Sequence, residues 1–312
     1  MSQVTTGVPA AVGFFGKIPA ERDFVRVNAG AFLRAGLDRW FQEGLENLQR
    51  EHTQLPAEPA SFLLVPAGGV APLAGVFAPG QDAVGRAFPG VVFAALDPHA
   101  GHADYPPLPF QLASFLEAGG RSAMAAQGLA AAQLAAEVEV LSCSLRSASP
   151  AVDLSSLLVR SSLTELRAAV GGLPEAAAYA LTTLVAACSQ TKGQQSESPA
   201  RVLVLDCPAP TDELRAFWLE LVRRHVGAKV PMPSLLWTRE SGRLLVALGP
   251  APSLMLAYLA DPDHKGSRRW PLWTLSQAAR AGAVDRLSPA QRQALAAEDA
   301  SLADVLSAFS EA

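Results

Sequence analysis

Three apolar runs, at 61–66, 74–78 and 88–96, follow one another so closely that their short connections favour antiparallel pairing. A parallel crossover needs about a dozen residues or more between strands. Gly68-Gly69 stands between the first two runs, as a hairpin turn would. The pattern returns later, where runs at 234–239 and 243–248 flank Ser241-Gly242. The segment 201–207, RVLVLDC, reads as a buried strand. Near the start, 13–19 (GFFGKIP) reads as a short strand stopped by proline, which 23–26 continues after a turn.

Helical patterns alternate with these runs. Asn28 is placed to cap a helix over 29–50, with Leu33, Leu37, Trp40, Phe41, Leu45 and Leu48 on one stripe. Helices are also predicted at 108–117, 122–136, 153–169, 174–188 and 252–260. Thr211 caps a further one, with Asp212 and Glu213 in its first turn and Leu214, Phe217, Trp218, Leu221 and Val222 facing inward. Ser288-Pro289 opens a helical tail. The sum is an α+β fold, a layered α/β sandwich with a mainly antiparallel sheet flanked by helices. Three parts are expected: an N-terminal α/β domain over 11–138, a second α/β part over 139–265 after a helical connection, and a helical extension over 266–312. The polar, breaker-rich 190–199 (QTKGQQSESP) reads as a linker or exposed loop.

Half of the 312 residues are hydrophobic and 17% are charged, a balance that builds a core and argues against disorder. The net charge of -4 and the lack of a long basic stretch argue against a nucleic-acid partner. Cys143, Cys188 and Cys207 form no CxxC pair and read as buried reduced thiols. The first twelve residues lack the basic start and apolar run of a signal peptide, and no stretch reaches the roughly 20 apolar residues of a membrane helix. A soluble cytoplasmic protein without membrane insertion is expected.

Three segments stand out as motifs: GFFGKIPAERDFV at 13–25, DAVGRAFP at 82–89 and SLLWT at 234–238. In order and spacing they resemble the TagF family of type VI secretion-associated proteins. The resemblance spans about 13–260. It implies a non-enzymatic accessory protein without a cofactor, a posttranslational repressor that binds a forkhead-associated scaffold protein and acts opposite a threonine kinase and phosphatase pathway. A structural component assembled with other secretion-system subunits is the alternative. On this resemblance the motif and partner-binding residues are Phe15, Gly16, Lys17, Pro19, Asp23, Phe24, Asp82, Gly85, Arg86, Phe88, Pro89 and Trp237. Two positions depart from the family pattern. Arg22 replaces a glycine, which would be costly if the turn needs a positive φ, and Leu236 replaces a tryptophan.

The residues offer little reaction chemistry. Gly13 to Lys17 lacks the spacing and the Ser/Thr of a Walker A loop, and there is no G-x-S-x-G elbow. Asp97, His99, His102 and Asp104 are the one metal-like grouping, in a stretch that also reads as a solvated loop. Arg86 has two readings: it pairs with Asp23 and locks two segments together, or it joins Lys17 and Arg22 in a surface for an acidic or phosphorylated partner. Trp40 and Trp218 read as core, and Trp237 as core or interface anchor.

Overall fold

The computed structural model describes residues 11–66, 70–97, 105–146, 153–191, 201–227 and 230–310. Among them nine strands form one sheet: β1 (Val12–Gly16), β2 (Val25–Val27), β3 (Ala60–Leu64), β4 (Leu73–Ala78), β5 (Gly90–Ala95), β6 (Val204–Pro208), β7 (Ser234–Thr238), β8 (Arg243–Ala247) and β9 (Arg269–Pro271). Their order across the sheet is β2-β1-β5-β4-β3-β7-β8-β6-β9. Every pair is antiparallel except β6 with β9. The first five strands in sequence make one half of the sheet, the last four the other, and β3 against β7 joins them, with Ser61 opposite Trp237.

Alternation along each strand sends side chains to two separate cores. Phe14, Leu63, Val76, Val92, Leu205, Leu235 and Val246 face one; Phe15, Phe62, Phe77, Phe93, Leu236 and Leu245 face the other. The second core lies under α1 (Gly30–Arg34), α2 (Leu37–Arg50) and α10 (Met255–Ala260), and is dominated by stacked and edge-on phenylalanines. The first carries α3 (Leu108–Gln111), α4 (Ala113–Ala125), α5 (Ala131–Arg146), α6 (Leu154–Arg160), α7 (Leu163–Ala169), α8 (Pro174–Thr191) and α9 (Asp212–Val226), with α11 (Gln277–Asp285), α12 (Pro289–Ala296) and α13 (Leu302–Ser310) from the tail. Its side chains are mainly leucine, valine and alanine, so helices approach closely. The protein is therefore a three-layer sandwich of the predicted class.

Several local expectations are corrected. The helix predicted over 29–50 is two helices, because Gly36 sits at φ 68 and breaks the chain between them. Asn28 is itself at φ 48 and donates its side-chain amide to the Val12 carbonyl at 2.9 Å, so it ties β1 down and caps nothing. The break turns Leu33 outward, to 38% exposure. The segment 153–169 likewise divides into α6 and α7. The Thr211 cap is present, accepting from the Leu214 N–H, and Ser288 makes a full capping box with Gln291. Strand β9 and helix α11 were not foreseen. Gly68-Gly69, His99, His102 and most of 190–199 lie outside the described residues. Among the described residues no single helix is long and apolar enough to cross a membrane.

Candidate docking site

The two N-terminal motifs meet at the end of β1. Strand β1 lies between β2 and β5, and Gly16 lies against the start of β5. A Cβ on Gly16 would sit 2.3 Å from the Pro89 carbonyl oxygen and 2.7 Å from the Gly90 Cα, so only glycine lets the segments approach. Beyond Gly16, Phe15, Phe24 and Phe88 close into an aromatic triad. Phe15 and Phe24 stack at 5.0 Å, and Phe88 meets Phe24 edge-on at 4.9 Å. Phe15 and Phe88 are buried and Phe24 is half-buried. The Lys17 ammonium lies 5.2 Å from the Phe24 ring centroid, over its face.

Lys17 then reaches Asp82, whose carboxylate has no exposed surface, at 3.1 Å. Asp82 organises the whole second loop. It accepts the N–H of Val84 at 3.1 Å and of Arg86 at 2.9 Å, and the Arg86 Nε at 2.6 Å. Gln81 and Ala87 bridge antiparallel below, and Gly85 supplies the turn at φ 83. Burial pushes the Asp82 carboxyl up, but the Arg86 backbone N–H, the Lys17 ammonium, the Arg86 guanidinium and the Val84 N–H together outweigh it. They hold the group well below the usual carboxylate range. It is an anchored anion, not a proton carrier.

Two hydrogen bonds stitch this loop to the first motif: the Ala83 N–H to the Glu21 carbonyl at 2.8 Å, and Arg86 Nη2 to the Arg22 carbonyl at 2.5 Å. Arg86 thus does lock the segments, but through Asp82 and a carbonyl. The predicted partner, Asp23, instead accepts the N–H of Phe24 at 2.7 Å. Arg22 is not among the non-glycine residues at positive φ, so its replacement of glycine imposes no left-handed strain. Lys17 is buried and engaged, which removes it from any contact surface. What remains outward is Pro19, Glu21, Arg22 and Asp23 on one loop, with Val84 and Arg86, each 61% exposed, on the other. The loops are held from beneath by buried aromatics and by the Asp82 centre.

Trp237 does not join this site. It is 5% exposed on β7, in the core under α4 and α9, at the wall of a cleft of about 550 Å³ whose rim carries Glu58, Glu117, Arg121 and Arg239. Leu236 is fully buried on the opposite face of the sheet.

A second charged centre escaped sequence reasoning. Asp206, fully buried in β6, accepts from Arg243 of β8 at Nε, 3.2 Å, and again at Nη2, and from Arg269 of β9 at 2.9 and 2.7 Å. The surplus guanidinium hydrogens go to carbonyls of Tyr258 and Leu259, at the C-terminus of α10, and of Pro262 and His264. A helix C-terminus favours such cations. Both arginines lie over the Trp273 ring, at 5.8 and 5.5 Å. Cys188 and Cys207 are buried and free; burial pushes the Cys188 thiol up to about 12 and the Cys207 thiol up as well, so neither is poised as a nucleophile. Among the described residues no group of three or more His, Cys, Asp or Glu is arranged to hold a metal ion.

The protein is thus a three-layer sandwich with two adjoining surface loops whose buried charged groups are satisfied from beneath. Residues 13–141 match the family model of the TagF N-terminal domain, described as type VI secretion system-associated, in line with the resemblance carried by the first two motifs. No curated protein matches the chain. Among solved structures, the crystal structure of PA0076 from Pseudomonas aeruginosa PAO1 aligns with a TM-score of 0.43 at 19% identity, over 82% of this chain and 96% of that one.

Proposed function

We propose that this protein is a non-enzymatic regulator of type VI secretion, a posttranslational repressor in the cytoplasm that docks onto a forkhead-associated scaffold protein through the paired loops at 19–24 and 81–87. The observation that supports this reading is the Asp82 centre. It uses a buried carboxylate, a buried ammonium and a glycine at positive φ to fix loops that expose Arg22, Val84 and Arg86. Rigid loops bind with little ordering cost, and arginine is enriched among residues that dominate interfaces. The match of residues 13–141 to the TagF N-terminal domain supports the secretion-system setting of this reading.

The test is a pair of substitutions at exposed side chains, Arg22→Glu with Arg86→Ala. Association with the scaffold, measured by pull-down and calorimetry, is expected to fall at least tenfold while the unfolding free energy drops by about 1 kcal/mol or less. Secretion repressed by overexpression of the wild-type protein should be restored. Unchanged association and unchanged repression would refute the docking assignment. Co-purification at fixed stoichiometry with baseplate or membrane-complex subunits would instead favour a structural role in the machinery.

A further inference from the structure

At the edge of the sheet opposite β2, a pocket of about 410 Å³ opens between α8, β9 and the C-terminal end of α11. Tyr179, Thr182, Thr183, Arg269, Trp270 and Arg286 line it, and its two charged lining residues are both cations. Arg269 is committed to Asp206 beneath. Arg286 is exposed and its guanidinium makes no hydrogen bond or ion pair among the described residues. The hydroxyls of Tyr179 and Thr183 are equally unengaged there, whereas Thr182 is satisfied by the Ala178 carbonyl at 2.8 Å. Half-buried Trp270 and Pro271 supply an apolar wall beside these donors. In the loop after β9, Leu275 is 95% exposed.

We propose that this pocket binds an acidic peptide segment of a partner protein. A Glu or Asp carboxylate takes the Arg286 guanidinium and the Thr183 and Tyr179 hydroxyls, and an apolar neighbour packs on Trp270. The planar guanidinium matches a carboxylate bidentately, and a wall without acids offers such a ligand no repulsion. Aromatic rings beside an arginine are the residues on which interfaces concentrate their energy. The site is independent of the paired loops, which lie by β1 and the start of β5.

The experiment is fluorescence anisotropy of the full chain at low salt with a short fluorescein-labelled peptide of alternating Glu and Leu. Saturable binding is expected, about tenfold weaker in Arg286→Glu and measurably weaker in Thr183→Val. The circular dichroism and urea midpoint of both variants should match the wild type, and a Lys/Leu peptide should not bind. No saturable binding by the wild type, or equal binding by Arg286→Glu, overturns the proposal. Binding only when phosphoserine replaces the Glu residues overturns the carboxylate assignment.

Discussion

Asp82 and Asp206 each hold two cations at a carboxylate with no exposed surface, yet one centre faces outward and the other is sealed. At Asp206 both partners are buried arginines on strands flanking β6, and their spare hydrogens are absorbed by carbonyls around the end of α10. At Asp82 one partner is buried lysine and the other an arginine that stays 61% exposed. The sealed centre joins β6, β8, β9 and α10, and so holds the second half of the sheet together. The open centre fixes two loops and leaves a guanidinium for something else to touch. Similar chemistry thus serves the interior in one case and the surface in the other, and the difference is the exposure of one partner.

The comparison breaks most easily at Asp206. Asp206→Ala leaves two buried guanidiniums facing each other without a counter-charge and should cost about 3–5 kcal/mol in urea unfolding; a loss below about 1 kcal/mol would mean the centre is not sealed. Gly16→Ala tests the seam that brings the motifs together. Its new Cβ meets the Pro89 carbonyl, and overpacking of about 1–3 kcal/mol is expected, with weaker scaffold binding as the loops shift. Arg86→Ala should change the unfolding free energy by about 1 kcal/mol or less, because the pair is solvent-screened, while scaffold affinity falls. The smallest signal is a pH dependence. The Asp82 carboxyl lies below its unfolded pKa of about 3.9. Its contribution is full above that value and lost as pH falls through the folded pKa. The stability difference between wild type and Asp82→Asn, followed by urea titration, should therefore be constant from neutral pH to about pH 5 and shrink below about pH 4.

The two centres also differ in how far the sequence discloses them. Asp82, Gly85 and Arg86 lie within one short loop, so local turn chemistry writes itself as a motif, and Lys17 belongs to the other recognisable segment. Asp206, Arg243 and Arg269 are far apart in the chain and meet only because β6 pairs with β8 on one side and β9 on the other. Nothing local marks them. Asp206 in a run of apolar residues was the available sign, since a lone acid in a buried strand demands a cation. Strand positions and the Thr211 and Ser288 caps were legible because hydrophobic alternation and capping are short-range. The break at Gly36 was not, because apolar spacing continues through it. Of the two readings of Arg86, the lock stands with Asp82 and the Arg22 carbonyl in place of Asp23, because an aspartate that folds back on its own loop leaves no mark in the sequence.

Amide hydrogen exchange of the full chain with and without the forkhead-associated scaffold tests the docking account most directly. Protection gained on complex formation should concentrate in 18–24 and 80–88, with β6, β8 and β9 unchanged. Binding that protects other surfaces and leaves both loops exchanging at their free rates would contradict it.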